Sequence, residues 1–389
     1  MHRVICFLLI CTAGMTAAVD NPAPRPNGPF PHFHRCHALT GATVVTEPGV
    51  AIEDAVLIIR DGMIEAIGQD VTIPPDARLW PVDGHFIYPG FIEPASTMSM
   101  DSEGGAGSHW NERIRPERIC GNGGDMLPQR DRAALRKAGY CVAAIYPDDG
   151  ILRGTGVITT LADEDAALID CGGQPAMAAS FERGGWGEGG GPGSLMGSIA
   201  LMRQTVSDAR WYQEAHAAAE RNQLEPPTQH HDLDALQAVV NRTQRIMIDT
   251  QSVKESMRAA ALAKELDLEL ILLGSGDEYL DISGIQSTGA PIIVPLTYPK
   301  RPQLTSIDSA IRVPLRTLQT WEQAPTNVRR LMNASVSTCV TTQGLDQPSD
   351  VHGALQDAIS AGLPSDEALA QLTTRPASLL QIDDRVGRI

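Results

Sequence analysis

Four residues in one short polar stretch could bind and act on a molecule that carries a carboxylate: His109, Asn111, Arg113 and Arg115. They belong to the sequence HWNERIRPE, which follows the first buried strand of the larger part of the chain. Arginines bind carboxylates through paired hydrogen bonds, and a histidine beside them could transfer protons near neutral pH. We therefore predict these four as candidate catalytic or binding residues.

The same stretch has a structural alternative. Arg113 and Arg115 lie close in sequence to Glu112, Glu117 and Asp101, so they could form ion pairs within the loop. The loop would then cover the end of the domain and bind nothing. Residue types alone leave both alternatives open.

A glycine-rich segment is a second candidate. Gly184–Gly197 leads into a helical pattern over Ser198–Trp211, and a helix N-terminus behind glycines can bind an anion. The spacing matches neither of the common nucleotide-binding glycine motifs. The alternatives are a long structural loop and a lid over a bound solute.

The composition limits the partners. The chain has 389 residues, 42% of them hydrophobic, with a formal net charge of -16 and a sequence pI near 5.0. Contacts to phosphate backbones need lysine and arginine, so we predict no nucleic-acid partner. Beyond the N-terminus no apolar run reaches the ~20 residues of a membrane-spanning helix, so we predict no transmembrane segment.

The N-terminus has the pattern of a secretory signal peptide. Residues 1–18 contain a short basic start, an apolar stretch over Val4–Ala13 and small residues before the expected cleavage point. Residues 19–37 are rich in proline, asparagine and alanine, which predicts a flexible leader. We therefore expect a secreted or periplasmic protein.

Five cysteines remain in the expected mature chain: Cys36, Cys120, Cys141, Cys171 and Cys339. An odd and scattered set is not a disulfide framework. Export permits one or two bridges, and Cys120 and Cys141 are the closest pair in sequence. Buried free thiols are the alternative.

Residues 38–89 alternate apolar and polar positions, which predicts a small β domain. Ala55–Ile59 and Met63–Ile67 flank Asp61-Gly62, a dipeptide typical of tight hairpin turns. A second turn of this type, Asp83-Gly84, separates Leu79–Val82 from the next short strand.

Residues 90–389 repeat a strand-then-helix pattern. Apolar runs begin near positions 246, 269 and 292, and Ser252–Leu266 shows a helical stripe between two of them. Repeated units of this kind imply a parallel sheet with right-handed crossovers. The length suits an eight-fold β/α barrel, which needs ~250 residues.

The segment Pro89–Glu93 (PGFIE) resembles the entry to the barrel in the amidohydrolase superfamily. His109–Glu117, Pro192–Tyr212 and Thr373–Val386 resemble a secreted, imidazolonepropionase-like subgroup. The resemblance implies a (β/α)8 TIM-like barrel preceded by a small β-sandwich-type domain. It also implies hydrolysis of C–N bonds with zinc or another divalent metal.

The metal-binding motifs of that superfamily are missing. Its first strand continues into His-x-His, where this chain has Ala95 and Thr97. The strands at 246–251 and 271–275 contain no histidine, and Val340–Gln343 ends in an amide where the superfamily has an aspartate. A methyl group cannot bind zinc and a neutral hydroxyl binds it poorly. We therefore expect no metal cofactor.

The leading hypothesis is a metal-free, catalytically degenerate barrel module with a structural or ligand-binding role, its ligand a small carboxylate or amide. The alternative is an active exported hydrolase that uses displaced or non-metal residues. Ser96 could be its nucleophile, although no histidine on a strand is placed to activate it. The strands expected after residue 389 are absent, so the β-sandwich is expected to be incomplete. A second amidohydrolase module or chain would complete it.

Overall fold

The computed structural model describes residues 35–100, 111–121, 127–163, 166–181, 192–302, 306 and 311–389. The predicted signal peptide, nearly all of the predicted leader, His109 and most of the glycine-rich segment lie outside these ranges. The prediction of secretion therefore stays a prediction. None of the described helices combines the length and apolar composition needed to cross a bilayer.

Residues 36–87 form a five-stranded sheet, as the alternating pattern predicted. Its strands are β1 (Cys36–Glu47), β2 (Val50–Arg60), β3 (Met63–Gly68), β4 (Arg78–Pro81) and β5 (Phe86–Ile87), in the order β3-β2-β1-β4 with β5 also on β1. The predicted Asp61-Gly62 hairpin is confirmed. Both residues have positive φ, 49° and 80°, and Arg60 lies opposite Met63.

The second predicted turn has a different role. At Asp83-Gly84 only the glycine has positive φ, and β4 and β5 do not pair with each other. Both run parallel to β1 instead, at successive positions along it. The Val82 N–H donates to the Thr40 oxygen and the Thr43 N–H donates to the His85 oxygen. The turn therefore connects two short strands that pair with successive parts of the long strand β1.

The larger part of the chain contains the predicted parallel strands. They are β6 (Phe91–Met98), β7 (Tyr140–Pro147), β8 (Leu152–Thr155), β9 (Val157–Thr160), β10 (Met177–Ser180), β11 (Ile246–Asp249), β12 (Leu270–Leu273), β13 (Ile292–Pro295) and β14 (Thr338–Thr341). β10 to β14 pair in parallel in sequence order, and β6 pairs in parallel with β7. β8 and β9 are antiparallel additions that the repeat pattern did not predict.

Helices follow most of these strands. They are α1 (Gln129–Lys137), α2 (Leu195–Asn222), α3 (His231–Ala235), α4 (Gln237–Val240), α5 (Val253–Glu265), α6 (Ile282–Thr288), α7 (Leu315–Gln323), α8 (Asn327–Asn333), α9 (Val351–Ser360), α10 (Ser365–Leu372) and α11 (Thr374–Leu380). The predicted helix after Ser252 is confirmed as α5, and the hydroxyl of Ser252 caps it by accepting the Glu255 N–H.

Two hydrophobic cores use opposite faces of the strands. Ile246 and Ile248 pack in the core that contains the helix residues Val206 and Leu262. Met247, between them, belongs to a core that also takes residues from other parallel strands: Ile92, Val142, Ala178, Ile271, Ile293 and Cys339. These strands therefore share one interior, and helices cover the other face. Burial of both faces explains why these strands have apolar residues at successive positions.

No disulfide bond joins any two of the five cysteines in the described region. The Cys120–Cys141 bridge that the sequence left open is therefore not formed. Cys141 is exposed on β7, whereas Cys339 is buried on β14.

Two glycines with positive φ should respond differently to alanine. Nothing lies within 4 Å of a Cβ added at Gly62, so Gly62→Ala should cost only the backbone strain, about 1 kcal/mol. A Cβ at Gly154 would lie 2.5 Å from the Arg118 oxygen, so Gly154→Ala should cost about 3 kcal/mol or more. Urea unfolding of both variants measures the difference. Equal losses would contradict the close packing of residues 115–121 on β8.

Candidate functional site

The stretch with the four predicted site residues lies along β8. The Arg115 N–H donates to the Leu152 oxygen at 2.8 Å, and the Cys120 N–H donates to the Thr155 oxygen at 3.1 Å. Isolated bridges pair this stretch with β8 in parallel. Backbone hydrogen bonds therefore attach the described part of the predicted loop to β8 at two points.

The described members of the predicted set have local partners. Asn111 is buried, and its Oδ1 accepts the Arg113 N–H at 3.0 Å. The Arg115 Nε donates to the backbone carbonyl oxygen of Glu112 at 2.6 Å. Burial raises the pKa of Glu117, while the charge of Arg115 opposes that rise. Arg115 is therefore close enough to Glu117 for their charges to interact, and both alternatives for this stretch stay open. Catalysis by these residues and His109 stays an untested prediction.

Near the start of β6, a buried carboxylate, Glu93, joins this strand to the end of β14. Its Oε1 accepts hydrogen bonds from the Thr341 hydroxyl and, at 3.2 Å, from the Ala95 N–H. Its Oε2 accepts from both the N–H and the hydroxyl of Thr342, each at 2.8 Å. Burial raises the pKa of Glu93, and these four donors oppose the rise. Every oxygen is therefore engaged within the chain.

A second carboxylate, Asp249 at the end of β11, is paired with an arginine. The Arg153 Nη1 lies 3.2 Å from the Asp249 Oδ2, and the side chains are only 9% and 15% exposed. The Arg153 Nε donates to the Gly150 oxygen, and the Gln251 amide donates to the Asp249 Oδ1. A guanidinium thus supplies the positive charge beside the carboxylate at this strand end.

A third carboxylate, Glu278, is fully buried just beyond β12. Its Oε1 accepts the N–H groups of Ser275 and Gly276 at 2.7 and 3.1 Å, and its Oε2 accepts the Asn327 amide at 2.5 Å. Burial raises the pKa of Glu278. The Asn327 Oδ1 is buried and has no hydrogen-bond partner within the described ranges. This arrangement fixes the loop after β12 to the start of α8.

The donor set at these strand ends does not fit a divalent metal. Zinc sites need several imidazole, thiolate or carboxylate groups that converge on one point. Positions 95 and 97 supply a methyl group and a hydroxyl, and the only acidic group at the end of β11 in the described chain is held by Arg153. Within the described ranges, no group of three or more His, Cys, Asp or Glu residues could hold a metal ion.

A pocket of about 550 Å³ opens beside the ends of β6 and β14. Ser96 and Thr97 from β6 line it together with Thr342 and Gln343 from the loop after β14. Among the described residues, the Gln343 Oε1 is buried without a hydrogen-bond partner. The lining also contains the charged residues Arg130, Asp131 and Asp346, of which the first two are paired at 3.2 Å. The hydroxyl and amide groups of the lining are able to hydrogen-bond a small molecule.

Arg153 and Glu278 were not among the candidate residues from the sequence. Arg153 directly follows the apolar pair Ile151-Leu152, and Glu278 lies five residues after the apolar strand Leu270–Leu273. Charged residues are rarely buried unless they are paired. That signal could have marked both, but it could not have identified their partners, because Arg153 and Asp249 are 96 positions apart.

No family model matches the chain, and a search of curated proteins finds no match. Among solved structures, an amidohydrolase from Thermotoga maritima MSB8 matches with a TM-score of 0.70 at 18% identity, covering 90% of each chain. Another amidohydrolase matches with a TM-score of 0.50 at 13% identity, covering 91% of this chain and 89% of that one. At these identities the comparison shows a shared fold.

Replacing Glu93 by glutamine should destabilise the protein. An amide nitrogen at the Oε1 position would face the Ala95 N–H, and one at the Oε2 position would face the Thr342 N–H. Two donors then oppose each other in a buried site, which should cost about 1–3 kcal/mol. Denaturant unfolding measures the loss, and Glu278→Gln is the matched control. In that variant a rotated Asn327 amide can present its oxygen to the new group. Equal losses of stability in Glu93→Gln and Glu278→Gln would contradict the expectation that only Glu278 has a partner able to adapt.

The stability of the wild type relative to Glu278→Gln should depend on pH. Because the folded-state pKa of Glu278 is raised, its stabilising contribution is complete below the unfolded value near 4.5 and declines as pH rises through the folded value. The variant lacks this titration, so it should gain stability over the wild type between acidic and neutral pH. Unfolding curves across that range measure the trend. A trend of opposite sign would show that the folded pKa is lowered.

Proposed function

We propose that this chain is an amidohydrolase-superfamily protein, of the imidazolonepropionase-like secreted type, that binds a small polar ligand without metal-assisted hydrolysis. The observation that carries the proposal is the ion pair between Arg153 and Asp249 at a strand end. The shared fold over nine-tenths of an amidohydrolase supports placement in the superfamily and a (β/α)8 barrel. Export is proposed from the pattern of residues 1–18.

The ion pair argues against hydrolysis for an electrostatic reason. Water at neutral pH becomes a strong nucleophile when a bound cation lowers its pKa. A divalent cation near Asp249 would have to displace or approach the Arg153 guanidinium, which repels it. Glu93 is equally unsuited, since four donors already use its oxygens. The described residues thus hold their carboxylates with protein groups.

The pocket beside β6 and β14 is the proposed ligand site. The hydroxyls of Ser96 and Thr97 and the amide of Gln343 offer donors and acceptors to a small amide, and donors to a small carboxylate. The volume of about 550 Å³ falls within the usual range for small-molecule sites. A panel of N-acyl amino acids, dipeptides and cyclic amides samples this chemistry.

A second module is proposed as the partner of the small sheet. Leu79, Trp80 and Phe86 are 58%, 40% and 62% exposed there, a pattern that fits a sheet whose apolar side chains are covered in an assembly. The other end of the chain lies nearby, since the Ile389 N–H donates to the Thr46 oxygen. An amidohydrolase module that pairs with this sheet would complete the proposed sandwich.

Metal analysis and ligand-induced shifts of the melting temperature test the proposed function together. We expect far less than one zinc, iron or manganese per chain after incubation with the metals and desalting. We expect panel members to raise the melting temperature, with no hydrolysis, and Gln343→Leu to abolish that rise. Stoichiometric metal, or hydrolysis that a chelator removes, would overturn the proposal.

Arg153→Gln should destabilise the fold by about 3 kcal/mol, because it leaves Asp249 as an uncompensated charge in a mostly buried site. Adding Asp249→Asn should restore part of the loss in a double-mutant cycle. The exposed pair of Lys300 and Asp346 is the matched control, and Lys300→Gln should leave stability unchanged within error. If Arg153→Gln left the free energy of unfolding unchanged, the ion pair would not be what stabilises these strand ends.

A further inference from the structure

One segment of this acidic chain is strongly basic. Residues 311–330 contain four arginines, Arg312, Arg316, Arg329 and Arg330, against a single glutamate, Glu322, although the whole chain has a net charge of -16. The segment includes α7 and the first half of α8. Local excess charge of one sign raises the concentration of opposite charges nearby, so the segment favours an anion.

Two of these arginines line a pocket of about 450 Å³ next to the loop that follows β12. Arg316 approaches from α7 and Arg330 from α8. Gln319, Thr320 and Gln323 on or beside α7 add hydrogen-bonding groups to the same wall. The pocket lies beside Asp277, four residues beyond the end of β12. Loops at the carboxyl ends of parallel strands are where α/β folds bind ligands.

Neither guanidinium has a carboxylate partner in the part of the chain that the structure describes. The Arg330 Nη2 donates to the Gln323 Oε1, which orients the guanidinium and leaves its charge uncompensated. Other arginines differ: Arg203 pairs with Glu265, and Arg242 pairs with Asp267 and Glu269.

One carboxylate, Asp277, also lies on the pocket wall. Its Oδ1 accepts the Val253 N–H at 2.7 Å and the Ser275 hydroxyl at 2.5 Å. These two bonds direct that oxygen toward the start of α5 and the loop after β12. Two guanidiniums against one engaged carboxylate leave the pocket with net positive charge.

We propose that this pocket binds an oxyanion, a carboxylate or phosphate group of a small molecule, between Arg316 and Arg330. Guanidinium groups present several N–H donors in a plane, which suits both kinds of oxyanion. Gln323 acts as a positioning residue because it holds the Arg330 guanidinium. The proposal is independent of the proposed ligand pocket beside β6 and β14.

Calorimetric titration at low ionic strength tests the site, with inorganic phosphate and succinate as separate probes. Binding of either probe should be at least about tenfold weaker in Arg316→Gln and in Arg330→Gln, as expected when a hydrogen bond to a charged group is lost. Arg312→Gln is the matched control, since it removes the same charge from the same segment at a position outside the pocket lining. It should keep wild-type affinity.

Tighter binding of phosphate or of succinate would show which oxyanion the pocket prefers, and either result supports the site. Absence of binding by both probes would overturn the proposal. So would equal weakening by Arg312→Gln, because a diffuse basic surface would then explain the binding. Arg316 is exposed, so Arg316→Gln should fold normally and keep the test valid even if Arg330→Gln unfolds.

Discussion

The structure depends on how it neutralises carboxylates that are buried on its parallel strands or just beyond them. A buried carboxylate without donors or a counter-charge is too costly to keep ionised. Glu93 is held by four donors from its own strand and from β14, Asp249 by the Arg153 guanidinium, and Glu278 by two N–H groups and an amide. Each solution ties one strand end to another element, so the electrostatic requirement also fixes the geometry of this face.

The same requirement determines which chemistry this face can support. In a metal-dependent hydrolase, carboxylates and imidazoles at strand ends are left available for a cation. Here hydroxyls, amides and a guanidinium stand beside the acidic groups, and the chain satisfies them internally. The two surfaces that we propose for ligands are the pocket of Ser96, Thr97 and Gln343 and the basic pocket of Arg316 and Arg330. Both suit recognition of polar molecules.

Sequence patterns predicted the elements well where one local rule applied. The Asp61-Gly62 hairpin followed from turn chemistry, and α5 followed from the apolar stripe after a capping serine. The predictions were wrong where partners are distant. Asp83-Gly84 was expected to be a turn like the first, but β1 is long enough for β4 and β5 to pair with it in succession. The sequence also did not predict that the described part of the HWNERIRPE stretch is bound to β8 through an isolated bridge.

The sequence by itself determined the alternation of strands and helices, the small β-sheet and the residue types at the positions that the resemblance compares with metal ligands. These follow from periodicity and residue type, which are local properties. Only the tertiary structure decided that Arg153 meets Asp249, that Glu93 meets Thr341 and Thr342, and that Arg316 shares a pocket with Arg330. Such pairings depend on which strands and helices become neighbours, and hydrophobic burial of the whole chain sets that arrangement.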